Sequence, residues 1–151
     1  METIRIFGVR VDNIDFKYAE GKIREFLRGD RLETIYTPNP EIVMRAREDE
    51  NLKRILDQGS LVTADGIGLI YASRIRKKPL KERVTGFDMS IKMLEIANEE
   101  GYSIYLLGGE EGVSRLAAEN IERDYGNIRV VGHRSGFFKG SHLGQADHPE
   151  E

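Results

Sequence analysis

Asp65 is the residue whose neighbours best suit acid–base chemistry. It ends an apolar run, Leu61-Val62-Thr63-Ala64, and precedes Gly66-Ile67-Gly68, so a ligand or another backbone can approach its carboxylate closely. A carboxylate in that place acts as a general base when it lies within hydrogen-bond reach of the group it deprotonates. The same position suits a helix N-cap, which accepts backbone N–H bonds and opposes the helix dipole; spacing alone favours the cap. Thr37 and Asn39, in Thr37-Pro38-Asn39-Pro40, are polar groups at the end of another apolar run. They can hold a sugar hydroxyl or simply form a turn, and here too spacing alone favours the simpler role.

Three further features point to phosphate. The pairs Gly66/Gly68 and Gly108/Gly109 leave backbone N–H groups unobstructed by side chains, as helix N-termini that meet anions require. Arg83 follows a basic run (Arg74, Arg76, Lys77, Lys78, Lys81) and precedes Thr85-Gly86-Phe87-Asp88, which offers a cap and a helix start beside a guanidinium able to grip phosphate bidentately. The flanking lysines read as a solvated loop. Neither Gly-x-Gly-x-x-Gly nor Gly-x-x-x-x-Gly-Lys-Ser/Thr occurs, which disfavours a dinucleotide oxidoreductase and a P-loop ATPase. Asp-x-Asp is absent as well, and His133, His142 and His148 share no ligand spacing, so no metal and no cofactor is assigned. Phe137 and Phe138 after Gly136 suit stacking on a base or sugar, or core packing.

The elements that must position these residues alternate between two apolar periods. Strand-like runs are expected at Thr3 to Phe7, Glu33 to Thr37, Leu61 to Ala64, Ser103 to Leu107 and Ile128 to Val131. Helical spacing follows Asp15 (Phe16, Ala19, Ile23, Phe26, Leu27), Pro40 (one or two short helices stopped at Gly59), Ile67 to Ile75, Phe87 to Ala97, and Val113 to Ile121. This alternation predicts an α/β, Rossmann-like layered domain with a largely parallel sheet flanked by helices. In such folds ligands bind beyond the carboxyl ends of the strands, so the chemistry-bearing turns are expected to line one crevice. The basic connection Arg74 to Arg83 is expected to be a mobile loop, and Ser141 to Glu151 an aperiodic tail, disordered and partly non-native.

Composition narrows the class. The 151 residues carry 23 Lys and Arg against 26 Asp and Glu, a formal charge of −3, so no global basic field invites nucleic acid. Cysteine is absent, which removes disulfides, thiol catalysis and thiolate metal sites. The N-terminus lacks an apolar core before a cleavage site, and the apolar runs are short; a cytoplasmic chain without a membrane span is expected.

In order along the chain, Thr37-Pro38-Asn39-Pro40-Glu41-Ile42-Val43, Ala64-Asp65-Gly66-Ile67-Gly68, Glu82-Arg83-Val84-Thr85-Gly86-Phe87-Asp88, Tyr105-Leu106-Leu107-Gly108-Gly109 and Gly136-Phe137-Phe138 resemble the WecG/TagA/CpsF family of bacterial glycosyltransferases. The resemblance covers about residues 3 to 140, is far more specific than any single motif, and is greatest to the TagA-type N-acetylmannosaminyltransferases of wall teichoic acid synthesis. It implies inverting transfer of N-acetylmannosamine from its UDP donor to undecaprenyl-diphosphate-linked N-acetylglucosamine, peripheral to the inner face of the membrane, and the absence of Asp-x-Asp makes a divalent metal unnecessary to it. It makes Asp65 the candidate base and Thr37, which would position substrate, the second catalytic residue. Asn39, Gly66, Gly68, Arg83, Asp88, Gly108, Gly109, Gly136 and Phe137 form the implied substrate-binding set. Members of the family continue past Gly136-Phe137-Phe138 to a Pro-Lys-Gln-Glu motif and a basic membrane-attachment segment. This chain lacks both, so residues 1–140 are expected to be an incomplete core with weak turnover by itself. A non-catalytic UDP-sugar-binding module, a transferase acting on another UDP-N-acetylhexosamine derivative, and a half-domain that assembles with itself are the alternatives.

Overall fold

A computed structural model describes residues 1–137 of the chain. It divides into two compact units, Met1–Met93 and Leu94 onward. Phe138, His142, His148 and the expected tail lie outside the described residues. No helix among the described residues is long and apolar enough to cross a membrane.

The first unit opens on a hairpin, β1 (Thr3–Ile6) and β2 (Val9–Asp12), paired antiparallel with Ile6 opposite Val9. The two residues between them, Phe7 (φ 51) and Gly8 (φ 90), both adopt the left-handed region that a tight two-residue hairpin turn demands. Phe7, expected in the first strand, is therefore a turn residue. The return strand β2, with Val9 and Val11 buried, is an element the sequence reading missed. The helix α1 (Phe16–Arg28) follows, capped as expected by Asp15, whose carboxylate accepts the Tyr18 N–H at 2.8 Å.

β3 (Ile35–Tyr36) and β4 (Leu61–Val62) pair in parallel, joined by α2 (Pro40–Glu48) and α3 (Glu50–Asp57). The ladder runs past the regular strands: the amides of Leu61, Thr63 and Asp65 donate to the carbonyls of Thr34, Tyr36 and Pro38. This extension carries Thr37 and Asp65 to the same carboxyl end. α4 (Ile67–Ile75) and α5 (Gly86–Glu100) complete the unit, α5 running on into the second. Ile4, Ile6, Val9 and Val11 of the hairpin share one core with Val43 and Ala46 of α2, Leu56 of α3 and Leu69 and Ile70 of α4. The expected mobile loop is tied down: Leu80 is buried, its amide bonds the Ser73 hydroxyl, the Lys81 amide bonds Asn13 Oδ1, and Glu82 accepts from the Phe16 amide.

A charged seam locks the hairpin to its neighbours. Arg10 grips Asp12 through two parallel bonds of 2.9 Å, and Asp12, only 2% exposed, also accepts the Val62 amide. Asp57, at the end of α3, accepts from Arg5 (2.8 Å) and from the Arg10 amide (2.9 Å). Burial opposes its charge, but these donors outweigh burial and hold its carboxyl below the ordinary value of 3.8. A lowered native value means the stabilisation is present above the unfolded value and lost as pH falls through the native one. Below about pH 4 the protein is therefore expected to lose stability more steeply than an Asp57→Asn variant. Urea midpoints followed across the acid range test this, and equal slopes would remove Asp57 from the acid limb.

In the second unit β5 (Ser103–Leu107) and β6 (Arg129–Arg134) pair in parallel across α6 (Val113–Asp124). β6 runs three residues further than the sequence predicts, and the register slips between Ile104 and Tyr105, where the Tyr105 ring lies against Gly132. The described strands thus form three two-stranded sheets, two parallel and one antiparallel, in an α/β chain. The antiparallel pair departs from the parallel expectation for a simple reason: a two-residue link can join only antiparallel strands.

Candidate active site

At the carboxyl end of β3 and β4, Asp65 meets the start of α5. Its Oδ2 accepts the Gly86 N–H at 2.9 Å, while Oδ1 has no partner among the described residues. The carboxylate does cap a helix, but not the one it precedes. α4 has Gly66 (φ 114) at its N-cap and so no side-chain cap, whereas Asp65 reaches 21 residues along the chain to the first amide of α5.

Gly86 was not foreseen as a site residue. A methyl group there would lie 2.7 Å from Thr37 Oγ1 and 3.4 Å from Asp65 Oδ2, so only glycine allows these two side chains so near the backbone of α5. The usable signal was its place directly after Thr85, a capping residue. The Thr85 hydroxyl accepts the Asp88 amide at 3.0 Å and donates to the Asp88 carboxylate at 2.6 Å, which fixes the turn that presents the Gly86 N–H. Asp88 thereby supports the site through the cap.

Thr37, half-buried, has no hydrogen-bond partner for its hydroxyl among the described residues. Asn39 caps α2, its Oδ1 accepting the Ile42 amide at 2.9 Å ahead of Pro40 in the first turn; its Nδ2 has no partner among the described residues. The turn and the binding role are thus compatible in one side chain. Gly66 and Gly68 owe their identity to packing, since a Cβ at either would come within 2.9 Å of the Pro40 ring. Their smallness seats the start of α4 against the start of α2, so that α2, α4 and α5 all begin around Asp65. Arg83 is exposed, two residues before the Thr85 cap, and its guanidinium has no partner among the described residues.

Beside Thr37 and Gly86 opens a largely apolar cavity of about 550 Å³, lined by Phe26, Leu27, Ile35, Met89, Ser90 and Met93. That volume lies in the range of small-molecule sites. Among the described residues no group of three or more His, Asp or Glu side chains is placed to hold a metal ion.

The remaining candidates gather in the second unit. The Gly108 amide donates to the Arg134 carbonyl and the Gly136 amide to the Gly109 carbonyl, closing a turn in which Gly108 (φ 137) and Gly109 (φ 73) use backbone angles that favour glycine. Gly136 packs so closely on Gly108 that a Cβ would meet its Cα at 3.1 Å. Phe137 follows, exposed. The structure therefore collects Thr37, Asn39, Asp65, Gly66, Gly68, Arg83 and Asp88 in the first unit, and Gly108, Gly109, Gly136 and Phe137 in the second.

The model of the glycosyl transferase WecG/TagA/CpsF family matches residues 4–150. The N-acetylglucosaminyldiphosphoundecaprenol N-acetyl-beta-D-mannosaminyltransferase of Bacillus subtilis (strain 168) is 31% identical over 127 residues, covering 84% of this chain and 46% of that protein. The protein of the same name from Staphylococcus aureus (strain MRSA252) is 30% identical over 132 residues, 86% of this chain and 52% of its own. That from Bacillus spizizenii (strain ATCC 23059 / NRRL B-14472 / W23) is 29% identical over 105 residues, 70% and 41% respectively. The chain spans about half the length of these curated relatives.

Proposed function

Because the chain belongs to the WecG/TagA/CpsF family of glycosyl transferases, we propose that it carries the base-bearing core of an inverting N-acetylmannosaminyltransferase. The donor in this reading is UDP-N-acetylmannosamine, and the acceptor is undecaprenyl-diphosphate-linked N-acetylglucosamine of the wall teichoic acid linkage unit. The observation that carries the proposal is the arrangement at Gly86, whose N–H holds one Asp65 carboxylate oxygen and whose backbone the Thr37 hydroxyl also approaches, while the other Asp65 oxygen and that hydroxyl have no partner among the described residues.

Asp65 takes the proton from the acceptor's 4-hydroxyl as that oxygen attacks the anomeric carbon; the new C–O bond forms as the bond to UDP breaks from the opposite face. A single displacement inverts the centre, through a state with oxocarbenium character. Thr37 and the free Nδ2 of Asn39 hold sugar hydroxyls and keep the attack in line. The departing diphosphate is met by Arg83 and by the backbone N–H groups that Gly66 and Gly68 leave open at the start of α4. A divalent ion has no part in this reading, which rests on the absence of Asp-x-Asp from the sequence. In this reading Gly108, Gly109, Gly136 and Phe137 of the second unit also bind substrate, and the α/β chain is of the Rossmann-like layered class. The lipid acceptor places the enzyme peripherally on the inner membrane face.

Calorimetric titration with UDP, UDP-N-acetylmannosamine and ADP, with and without magnesium, tests the proposal. UDP and its sugar are expected to bind in preference to ADP, equally well in either condition. Equal affinity for ADP, or binding that appears only with magnesium, would overturn it.

A further inference from the structure

Helix α4 has two apolar faces. Leu69 and Ile70 are buried in the core, with Ser73 beneath them. On another side Ile67, Tyr71 and Ile75 follow one another at intervals of four residues, 54%, 55% and 82% exposed. Residues 74–83 then bring six cations (Arg74, Arg76, Lys77, Lys78, Lys81, Arg83) and one acid, in a chain whose formal charge is −3. All six cationic residues are exposed, and none of their side chains has a partner among the described residues. The one acid, Glu82, is occupied by the Phe16 amide.

This basic segment is held in place. α4 ends with the Lys77 amide on the Arg74 carbonyl and the Lys78 amide on that of Ser73, the paired bonds that normally place glycine in the left-handed position. Lysine stands there instead, at φ 56, so a cation is kept where the backbone would be better served by none. The Ser73 and Asn13 contacts pin the chain beyond it.

We propose that the exposed face of α4 and residues 74–81 dock the protein on an anionic lipid bilayer, Ile67, Tyr71 and Ile75 entering the headgroup boundary and Arg74, Arg76, Lys77, Lys78 and Lys81 meeting lipid phosphates. Apolar side chains bordered by unpaired cations are the composition of interfacial helices, and each cation at an anionic surface strengthens binding about fivefold. Charge selects this occupant over a second copy, because a two-fold contact through the patch would set its cations against the same cations. Asp65 stands two residues before α4, whose nine residues span about 13 Å to the basic end. The purpose of docking rests on the transferase reading: it brings a lipid-linked acceptor to the base.

Sedimentation of this chain with phosphatidylglycerol and with phosphatidylcholine vesicles tests the surface directly. Binding is expected to phosphatidylglycerol alone, to weaken with salt, and to fall on the order of tenfold or more in K77Q/K78Q and several-fold in Ile75→Ser. Both variants lie on exposed positions, and unchanged circular dichroism verifies their folds. No binding at low salt, equal binding to both lipids, or binding indifferent to both variants would overturn the proposal. So would light scattering in which Ile75→Ser dissolves a dimer while vesicle binding persists. Vesicle binding without any UDP binding, even by a form that spans the full length of the relatives, would leave the docking surface standing and remove the transferase reading.

Discussion

An Asp65→Asn exchange is expected to lower the rate of sugar transfer by a factor of roughly 10² to 10⁴, the range that a positioned general base contributes, while leaving UDP affinity nearly unchanged. Asparagine still offers an oxygen to the Gly86 N–H, so the start of α5 keeps its cap and only the proton acceptor is lost. Asp65→Ala removes both, and the difference between the two variants separates catalysis from helix capping. The assay belongs on a form that spans the full length of the relatives, with the acceptor carried on a short lipid. A transfer rate that survives in the asparagine variant would leave Asp65 as a structural cap and nothing more.

The second large effect concerns stability. Asp12→Ala is expected to cost about 3 kcal/mol, the lower part of the range for breaking a buried charged pair, because Arg10 keeps some access to water. The loss has two parts. Arg10 gives up both of its bonds to Asp12, though it keeps the carbonyls of Asp57 and Gly59. The Val62 amide, which is buried, is left with no acceptor. Urea denaturation reads the effect as a lower midpoint at constant slope. A change below about 1 kcal/mol would mean that water reaches the Val62 amide and that the seam is only a surface ion pair.

What the sequence discloses and what it conceals follow from the range of the interactions involved. Asp15, the Asn39-Pro40 pair and the stop before Gly59 are readable because a cap acts on amides two or three residues away. The strand ends that carry Thr37 and Asp65 are readable because β-rich runs stop at Pro and Gly. Asp12 gave no such signal, since its partners are a neighbouring arginine and an amide 50 residues on. Gly66 and Gly68 read in the sequence as a phosphate loop but not as a packing contact, although the nearest atoms a side chain would strike belong to Pro40. That distinction exists only once α2 and α4 are in place. The hairpin was lost for a local reason: Phe7 in a left-handed turn is so uncommon that the run from Thr3 reads straight through it.

The bond between Asp12 and the Val62 amide has a bearing on solubility. Along β4 the amides of Leu61, Thr63 and Asp65 point toward β3, while that of Val62 points the other way, where a further strand would supply a carbonyl. A carboxylate stands in that place and already holds a guanidinium. An incoming chain seeking to add itself there would have to displace a buried ion pair, so the seam that fastens the hairpin also guards the edge of the sheet against unwanted strand addition.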